Sequence, residues 1–177
     1  MSVTAQSPIF QGVLRFVYGD AVPEEAWSIP SGASPNGLSP TMELLDAANR
    51  FGVVGLKILA ETKVAEADVS VATASDLILY ADAKNCPLLK ERVVDFFVVH
   101  CQEIRRHPSF HQVKESARIL DELMEAVVSK RALRSFPLGD DDRDYNSMRV
   151  NLLRRKLHAR GLDVDGSREM LIQRLTR

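Results

Sequence analysis

Apolar side chains recur every three or four residues along most of this chain, and this spacing constrains the fold more than any other feature. Such spacing is typical of helices that bury one face. Prolines stand at several helix starts, and glycines follow several helix ends. The segment VVDFFVV is also compatible with a strand, but its length and Pro87 before it favour a helix. The six helices predicted for the body are 7–18, 41–51, 54–67, 72–83, 87–100 and 113–131.

The charge is unevenly distributed along the chain. Residues 1–145 carry 15 Lys and Arg against 21 Asp and Glu, whereas residues 146–177 carry 8 against 3. A tail with a net charge of +5 behind an acidic body is typical of a segment that binds a polyanion or an acidic surface. The alternative interpretation is a solvated charged helix.

The sequence also indicates a compartment. No apolar run is long enough to span a bilayer, and the first residues lack the pattern of a signal peptide. The two cysteines, Cys86 and Cys101, are expected to be reduced and mostly buried, as in a reducing compartment. We therefore expect a protein of the nucleus or cytoplasm that does not bind membranes.

The basic tail contains two predicted helices. Val150, Leu153 and Leu157 form an apolar stripe on the first, over about residues 147–159. Gly161 is expected to end that helix in a left-handed conformation, and a second helix begins at Gly166. Free backbone N–H groups at the start of a helix suit a phosphate. The predicted nucleic-acid-binding residues are Arg149, Arg154, Arg155, Lys156, Arg160, Gly161, Gly166, Ser167, Arg168 and Arg174.

The tail resembles the SAP motif, a helix–loop–helix element of chromatin, repair and RNA-processing proteins. The matching residues are Val150, Leu153, Leu157, Arg160, Gly161, Leu162, Gly166, Arg168, Leu171, Arg174 and Leu175. The resemblance implies binding to double-stranded DNA, often A·T-rich, or to RNA. Ser167 stands where a second basic residue is common, which is expected to weaken the phosphate contact. A helical pair used for protein contact is the alternative.

The body resembles the C-terminal half of a BTB/POZ domain over about residues 8–100, with a helical extension to about 131. The matching residues are Phe10, Leu14, Phe16, Tyr18, Leu44, Leu45, Ala47, Ala48, Phe51, Gly52, Leu56, Lys57, Leu77, Leu79, Ala81, Cys86, Leu89, Lys90, Phe96 and Phe97. The resemblance implies protein–protein contact, with homodimerisation and, in many members, recruitment to a cullin-type ubiquitin ligase.

Only nine residues precede Phe10, so the N-terminal half of such a domain is expected to be absent, in a reduced form or a fragment. We therefore expect an exposed apolar face, with self-association or a partner for residues 1–135. That face is expected to contain Leu45, Leu77, Val93, Phe10, Phe16, Phe96 and Phe97.

These observations predict an all-α protein with at most a short β remnant near residues 18–28. The predicted domains are a BTB/POZ-like interaction region (8–131), an acidic linker (132–145) and a SAP motif (146–177). The predicted function is a non-enzymatic adaptor that joins a protein partner, such as a cullin, or a second copy to DNA or RNA. The alternative is a substrate adaptor of a cullin ubiquitin ligase whose tail contacts protein.

Catalytic and metal sites are not predicted. Gly32 and Gly37 have the spacing of a phosphate loop, but Leu38 stands in place of its lysine. The histidines near Cys101 match no usual zinc spacing. We expect neither a metal nor a cofactor.

Overall fold

The computed structural model describes residues 8–19, Val22, Trp27, 39–133 and 144–176. The regular elements of these ranges are all α-helices, which confirms the predicted all-α fold. The predicted β remnant near residues 18–28 lies largely outside the described residues. The helices are α1 (Pro8–Gly19), α2 (Pro40–Arg50), α3 (Val54–Ala67), α4 (Ala74–Ala83), α5 (Pro87–Arg106), α6 (Phe110–Glu115), α7 (Ala117–Leu133), α8 (Val150–Ala159) and α9 (Arg168–Thr176).

Three helices end on a residue with a positive φ. Gly52 follows α2 at +68°, Asn85 follows α4 at +52°, and Gly161 follows α8 at +67°. At the last of these, the Leu162 amide donates to the Leu157 carbonyl at 2.9 Å, and the Gly161 amide donates to His158 at 3.0 Å. This pair of bonds satisfies the last carbonyls of a helix and requires a left-handed residue. The helix end predicted at Gly161 is therefore confirmed.

The single helix predicted over 113–131 is wrong, because this region contains two helices, α6 and α7. Ser116 separates them with an extended backbone, at φ −101° and ψ 90°. Its carbonyl accepts the Leu120 amide at 3.0 Å and so begins the next helix. Serine is favoured at the position directly before a helix, so Ser116 indicates the break in the sequence. The apolar stripe continues across it and therefore predicted a single helix.

The chain divides into two compact units, Met1–Ala67 and Asp68–Arg177. In the described part of the first unit, α1, α2 and α3 enclose a core of Val13, Leu44, Ala48 and Leu56. Phe16 and Trp27 pack against the outside of this core.

The second unit contains α4–α9. Helix α5 contacts α4, α6, α7 and α8, and α8 packs against α9. The boundary between the two units lies between Ala67 and Asp68 and not at the acidic linker. Helices α8 and α9 belong to the second unit because α8 packs on α5. The domain limits predicted above remain a prediction, and most of the linker lies outside the described residues.

The predicted exposed apolar face is wrong for four of its seven residues. Leu45, Leu77, Val93 and Phe97 are buried, and the other three members are half-buried. The aromatic rings of Phe97 and Phe110 stack with centroids 5.9 Å apart, so α6 covers a face that was expected to be open. The most exposed large apolar side chains lie elsewhere, at Val17, Tyr18, Phe51, Val99 and Val128.

The two thiols differ in their surroundings. Both cysteines are free, but Cys86 is buried and Cys101 is only half-buried. Cys101 follows His100, where the backbone of α5 leaves the helical conformation at φ −107° and ψ 24°. The expected burial therefore holds for the first cysteine and only partly for the second.

Candidate nucleic-acid interface

A small apolar core fixes the two C-terminal helices relative to each other. Val150, Leu153 and Leu157 of α8 are fully buried, as the spacing predicted, and they meet Leu171 and Leu175 of α9. Helices this short depend on such packing for their stability. The core therefore determines the direction in which each cationic side chain of the tail projects.

The first predicted phosphate ligand, Arg149, contacts two carboxylates of α5. Its Nη1 donates to Oε1 of Glu91 at 2.8 Å and also to Asp95. The backbone amide of Val150 donates to Oε2 of Glu91 at 2.8 Å, so Glu91 caps the start of α8. The hydrogen bonds that Arg149 donates, first to Asp95 and then to Glu91, raise its pKa above the ordinary value.

Arg168 at the start of α9 also contacts Glu91. Its Nη1 lies 3.6 Å from Oε2 of Glu91, and its Nη2 donates to the carbonyl of Asn146 at 2.7 Å. We call Arg149 and Arg168 the docked cations. Both are predicted phosphate ligands, and both contact Glu91 in this structure.

Ser167 serves the start of α9 itself. Its hydroxyl oxygen accepts the Met170 amide at 3.5 Å, and its O–H donates to Oε2 of Glu169 at 2.7 Å. Burial is the largest single influence on Glu169 and raises its pKa. The hydrogen bond from Ser167, a backbone hydrogen bond and the positive charges of Lys90 and Arg168 together outweigh burial, so the net pKa lies below the ordinary value. The hydroxyl is thus used as a local cap, the role in which serine is favoured.

Two further predicted ligands hold the loop between the helices. Arg174 pairs with Asp163 at 2.8 Å and also donates to the carbonyl of Asp165. Arg154 is buried, and its Nε donates to the carbonyl of Val164 at 3.3 Å. These contacts keep the loop against the helices and point both guanidinium groups inward.

Three further predicted ligands lie on α8 or directly after it. Arg160 donates to the Leu175 carbonyl at 2.9 Å and to the Tyr145 hydroxyl at 3.2 Å. Both acceptors are neutral, so its charge is not compensated there. Arg155 is exposed, and no described carboxylate pairs with it. We call Arg155 and Arg160 the outer cations, and Lys156 lies half-buried between them in sequence.

The two predicted turn glycines both need a positive φ, at +67° for Gly161 and +112° for Gly166. A Cβ at Gly161 would meet nothing within 4 Å, whereas one at Gly166 would lie 3.0 Å from the sulfur of Met170. The second position is therefore restricted by both backbone conformation and space.

A cleft of about 660 Å3 lies beside the docked cations, between α4, α5, α7 and the starts of α8 and α9. Its charged lining includes Asp82, Lys90 and Glu122, and the last two pair at 2.6 Å. Across the described ranges, His, Cys, Asp and Glu side chains form no group of three that could hold a metal ion. Nor is any helix of those ranges long and apolar enough to cross a membrane.

Sequence reasoning missed Glu91 and Asp95. Two acids at positions i and i+4 of a helix share one face, and this spacing could have identified an acidic face facing a basic tail. What the sequence could not supply was the packing of α8 on α5.

Comparison with known proteins agrees with both resemblances. Residues 144–177 match the SAP domain family. The chain is 33% identical over 98 residues to TD and POZ domain-containing protein 3 of Mus musculus, covering 54% of this chain and 23% of the relative. It is 28% identical over 133 residues to BTB/POZ and MATH domain-containing protein 4 of Arabidopsis thaliana, covering 72% and 28%. TD and POZ domain-containing protein 2 of Mus musculus is 25% identical over 128 residues, covering 71% and 32%.

Of the families matched, SAP is a nucleic-acid-binding family and BTB/POZ a protein-interaction family, and both are non-catalytic. The C-terminus of the chain is a SAP domain, and about the first 70% of the chain is homologous to BTB/POZ-containing proteins at low identity. The chain spans between 23% and 32% of the length of these relatives.

Proposed function

We propose that this protein is a non-enzymatic adaptor of the nucleus that joins a protein partner to duplex DNA. The SAP domain at residues 144–177 is the observation that carries the proposal. A motif with a surplus of cations attracts a polyanion whatever its sequence.

The DNA contact is assigned first to the outer cations. Arg155 and Arg160 have no compensating carboxylate in the described contacts. Lys156 extends this surface, and the docked cations join it only when they leave Glu91. RNA is the other nucleic acid that such a surface accepts.

The protein contact is assigned to the BTB/POZ-like region. The names of its relatives pair a POZ domain with a second domain, TD or MATH, which is the arrangement expected of adaptors. A second copy of the chain and a cullin are the two partners that the family resemblance supports.

A titration of the full chain with short duplex DNA, followed by fluorescence anisotropy, tests the DNA contact. Affinity should fall steeply between about 50 and 200 mM salt, because several phosphates release counterions on binding. Single-stranded RNA of matched length provides the comparison between the two nucleic acids. No binding at low salt, or binding that is indifferent to salt, contradicts the proposal.

The second candidate is a cullin-type substrate adaptor whose C-terminal helices contact protein. One observation favours it, since Arg149 and Arg168 already contact protein carboxylates rather than lying open. This candidate predicts an isolated complex with a cullin and no salt-dependent DNA binding. The same titration, with a cullin pull-down beside it, separates the two functions.

A further inference from the structure

Glu91 of α5 contacts three donor groups of the SAP domain. Its carboxylate accepts from Nη1 of Arg149 at 2.8 Å and from the Val150 amide at 2.8 Å, and it lies 3.6 Å from Nη1 of Arg168. A backbone amide at a helix start together with two guanidinium groups is a donor set suited to phosphate. An internal carboxylate thus holds the groups that would bind the ligand.

One face of α5 carries three residues that contact the SAP domain. Leu88 packs against the apolar core of the SAP domain, Glu91 follows three residues later, and Asp95 follows four residues after that. Residues at this spacing share one side of a helix. We call Leu88, Glu91 and Asp95 the docking face, and it joins an apolar contact to a charged one.

We propose that the docking face of α5 holds the SAP domain in an autoinhibited state, in which Glu91 and Asp95 compete with DNA phosphates for Arg149 and Arg168. The inference rests on the proposed function and adds how that function is regulated. Free DNA must displace the carboxylates before both docked cations contact phosphate. A chain without the two carboxylates should therefore bind DNA more tightly than the wild-type chain.

The exposure of these pairs makes the contact reversible. The side chain of Arg149 is 58% exposed, and that of Arg168 is 31% exposed. Ion pairs open to water are weak and are screened by salt. A duplex that offers several phosphates together can therefore replace them, whereas a fully buried pair would resist exchange.

The direct test compares the DNA affinity of the full chain with that of the double variant Glu91→Gln/Asp95→Asn. Glutamine keeps an oxygen that can accept the Val150 amide, so α8 keeps its cap while the competing charge is lost. The control is Glu103→Gln/Asp121→Asn, which removes the same charge from two exposed carboxylates of α5 and α7. We expect roughly tenfold tighter binding for the first variant, within the range of ordinary intramolecular coupling, and a much smaller change for the control.

A further variant establishes whether the gain passes through the docked cations. Adding Arg149→Gln/Arg168→Gln to the first variant should return its affinity to that of the wild-type chain or below. If the gain persists without these arginines, or if the two acid variants bind alike, autoinhibition is refuted while the proposed DNA function stands. If no chain binds DNA at low salt, the proposed function fails, and the regulation fails with it.

A measurement on the unmodified chain avoids any effect of substitution on folding. In a nitrogen-15 NMR titration with duplex DNA, the Val150 amide and the Arg149 guanidinium signals should move as the duplex saturates, because Glu91 is displaced from both. The proposal would be overturned if the signals of Arg155 and Arg160 shifted to saturation while these two signals did not move.

Discussion

The two sets of cations on the SAP domain lie on the same small core but have different neighbours. The docked cations, Arg149 and Arg168, face carboxylates of α5, and Glu91 contacts both of them. The outer cations, Arg155 and Arg160, face water or neutral acceptors. The same residue type therefore has two roles within one motif, one in holding the chain together and one in meeting a ligand.

This difference shows how far formal charge overstates the charge available to a polyanion. The tail has a net charge of +5 by composition. Arg149 and Arg168 nevertheless have carboxylate partners on α5, outside the tail. The electrostatic potential that DNA meets thus depends more on which carboxylates of the body pair with the tail than on the composition of the tail.

The largest expected effect comes from removing the core that both sets of cations share. Leu157→Ala empties a fully buried position and should destabilise the SAP domain by about 2–5 kcal/mol. Amide hydrogen exchange along α8 and α9 should accelerate, and DNA affinity should be lost. Leu152→Ala, at a side chain that is 38% exposed on the same helix, is the matched control and should cost less than about 1 kcal/mol. Equal exchange rates in the two variants would show that α5 alone holds these helices.

The loop between α8 and α9 should be the element whose substitution has the next largest effect on stability. Gly166→Ala places a side chain at φ +112° and within 3.0 Å of the Met170 sulfur, so about 1–3 kcal/mol of stability should be lost. Gly161→Ala, at +67° with open space around the new carbon, should lose only about 1 kcal/mol. Chemical denaturation followed at α9 measures both. A smaller loss at Gly166 than at Gly161 would contradict this order.

The fold was largely predictable from the sequence, because helix ends and apolar stripes are local properties. The stripe of Val150, Leu153 and Leu157 and the turn at Gly161 needed no knowledge of the rest of the chain. The site was predictable only as a set of candidates. Which arginines stay open depends on α5, since Glu91 lies 58 residues from Arg149 in sequence. Ser167 was predicted to lie in the binding site and to weaken the phosphate contact, but the sequence did not indicate that its hydroxyl also caps α9.

Substituting each set of cations in turn measures how much that set contributes to DNA binding. Arg155→Gln/Arg160→Gln should lower DNA affinity several-fold and flatten the salt dependence by roughly 1 to 2 units of its logarithmic slope, close to one for each lost phosphate contact. Arg149→Gln/Arg168→Gln should have a smaller effect on affinity, because these residues are occupied before DNA arrives. Arg92→Gln/Arg105→Gln, two exposed cations of α5, controls for net charge. A larger loss at the docked cations than at the outer ones would reverse the assignment.

The smallest expected effect concerns a second ion cluster, which lies within the body and does not involve the docked cations. Lys90 contacts Asp82 at 3.0 Å and Glu122 at 2.6 Å, and Arg118 also pairs with Asp82. Burial raises the pKa of Asp82, but the hydrogen bonds from Lys90 and Arg118 outweigh burial and hold it below its ordinary value.

The stabilisation from Asp82 is therefore complete above that ordinary value and is lost as the pH falls through the lower pKa of the folded chain. Asp82→Asn should make unfolding less sensitive to acid below about pH 4, by less than about 1 kcal/mol since the pairs are partly exposed. Denaturant titrations at neutral and acidic pH measure this change, with Asp121→Asn as an exposed control on α7. The DNA affinity of Asp82→Asn at neutral pH should match that of the wild-type chain, because this cluster does not compete for the docked cations. A change in DNA affinity as large as that of Glu91→Gln/Asp95→Asn would mean that general charge, rather than the docking face, controls the SAP domain.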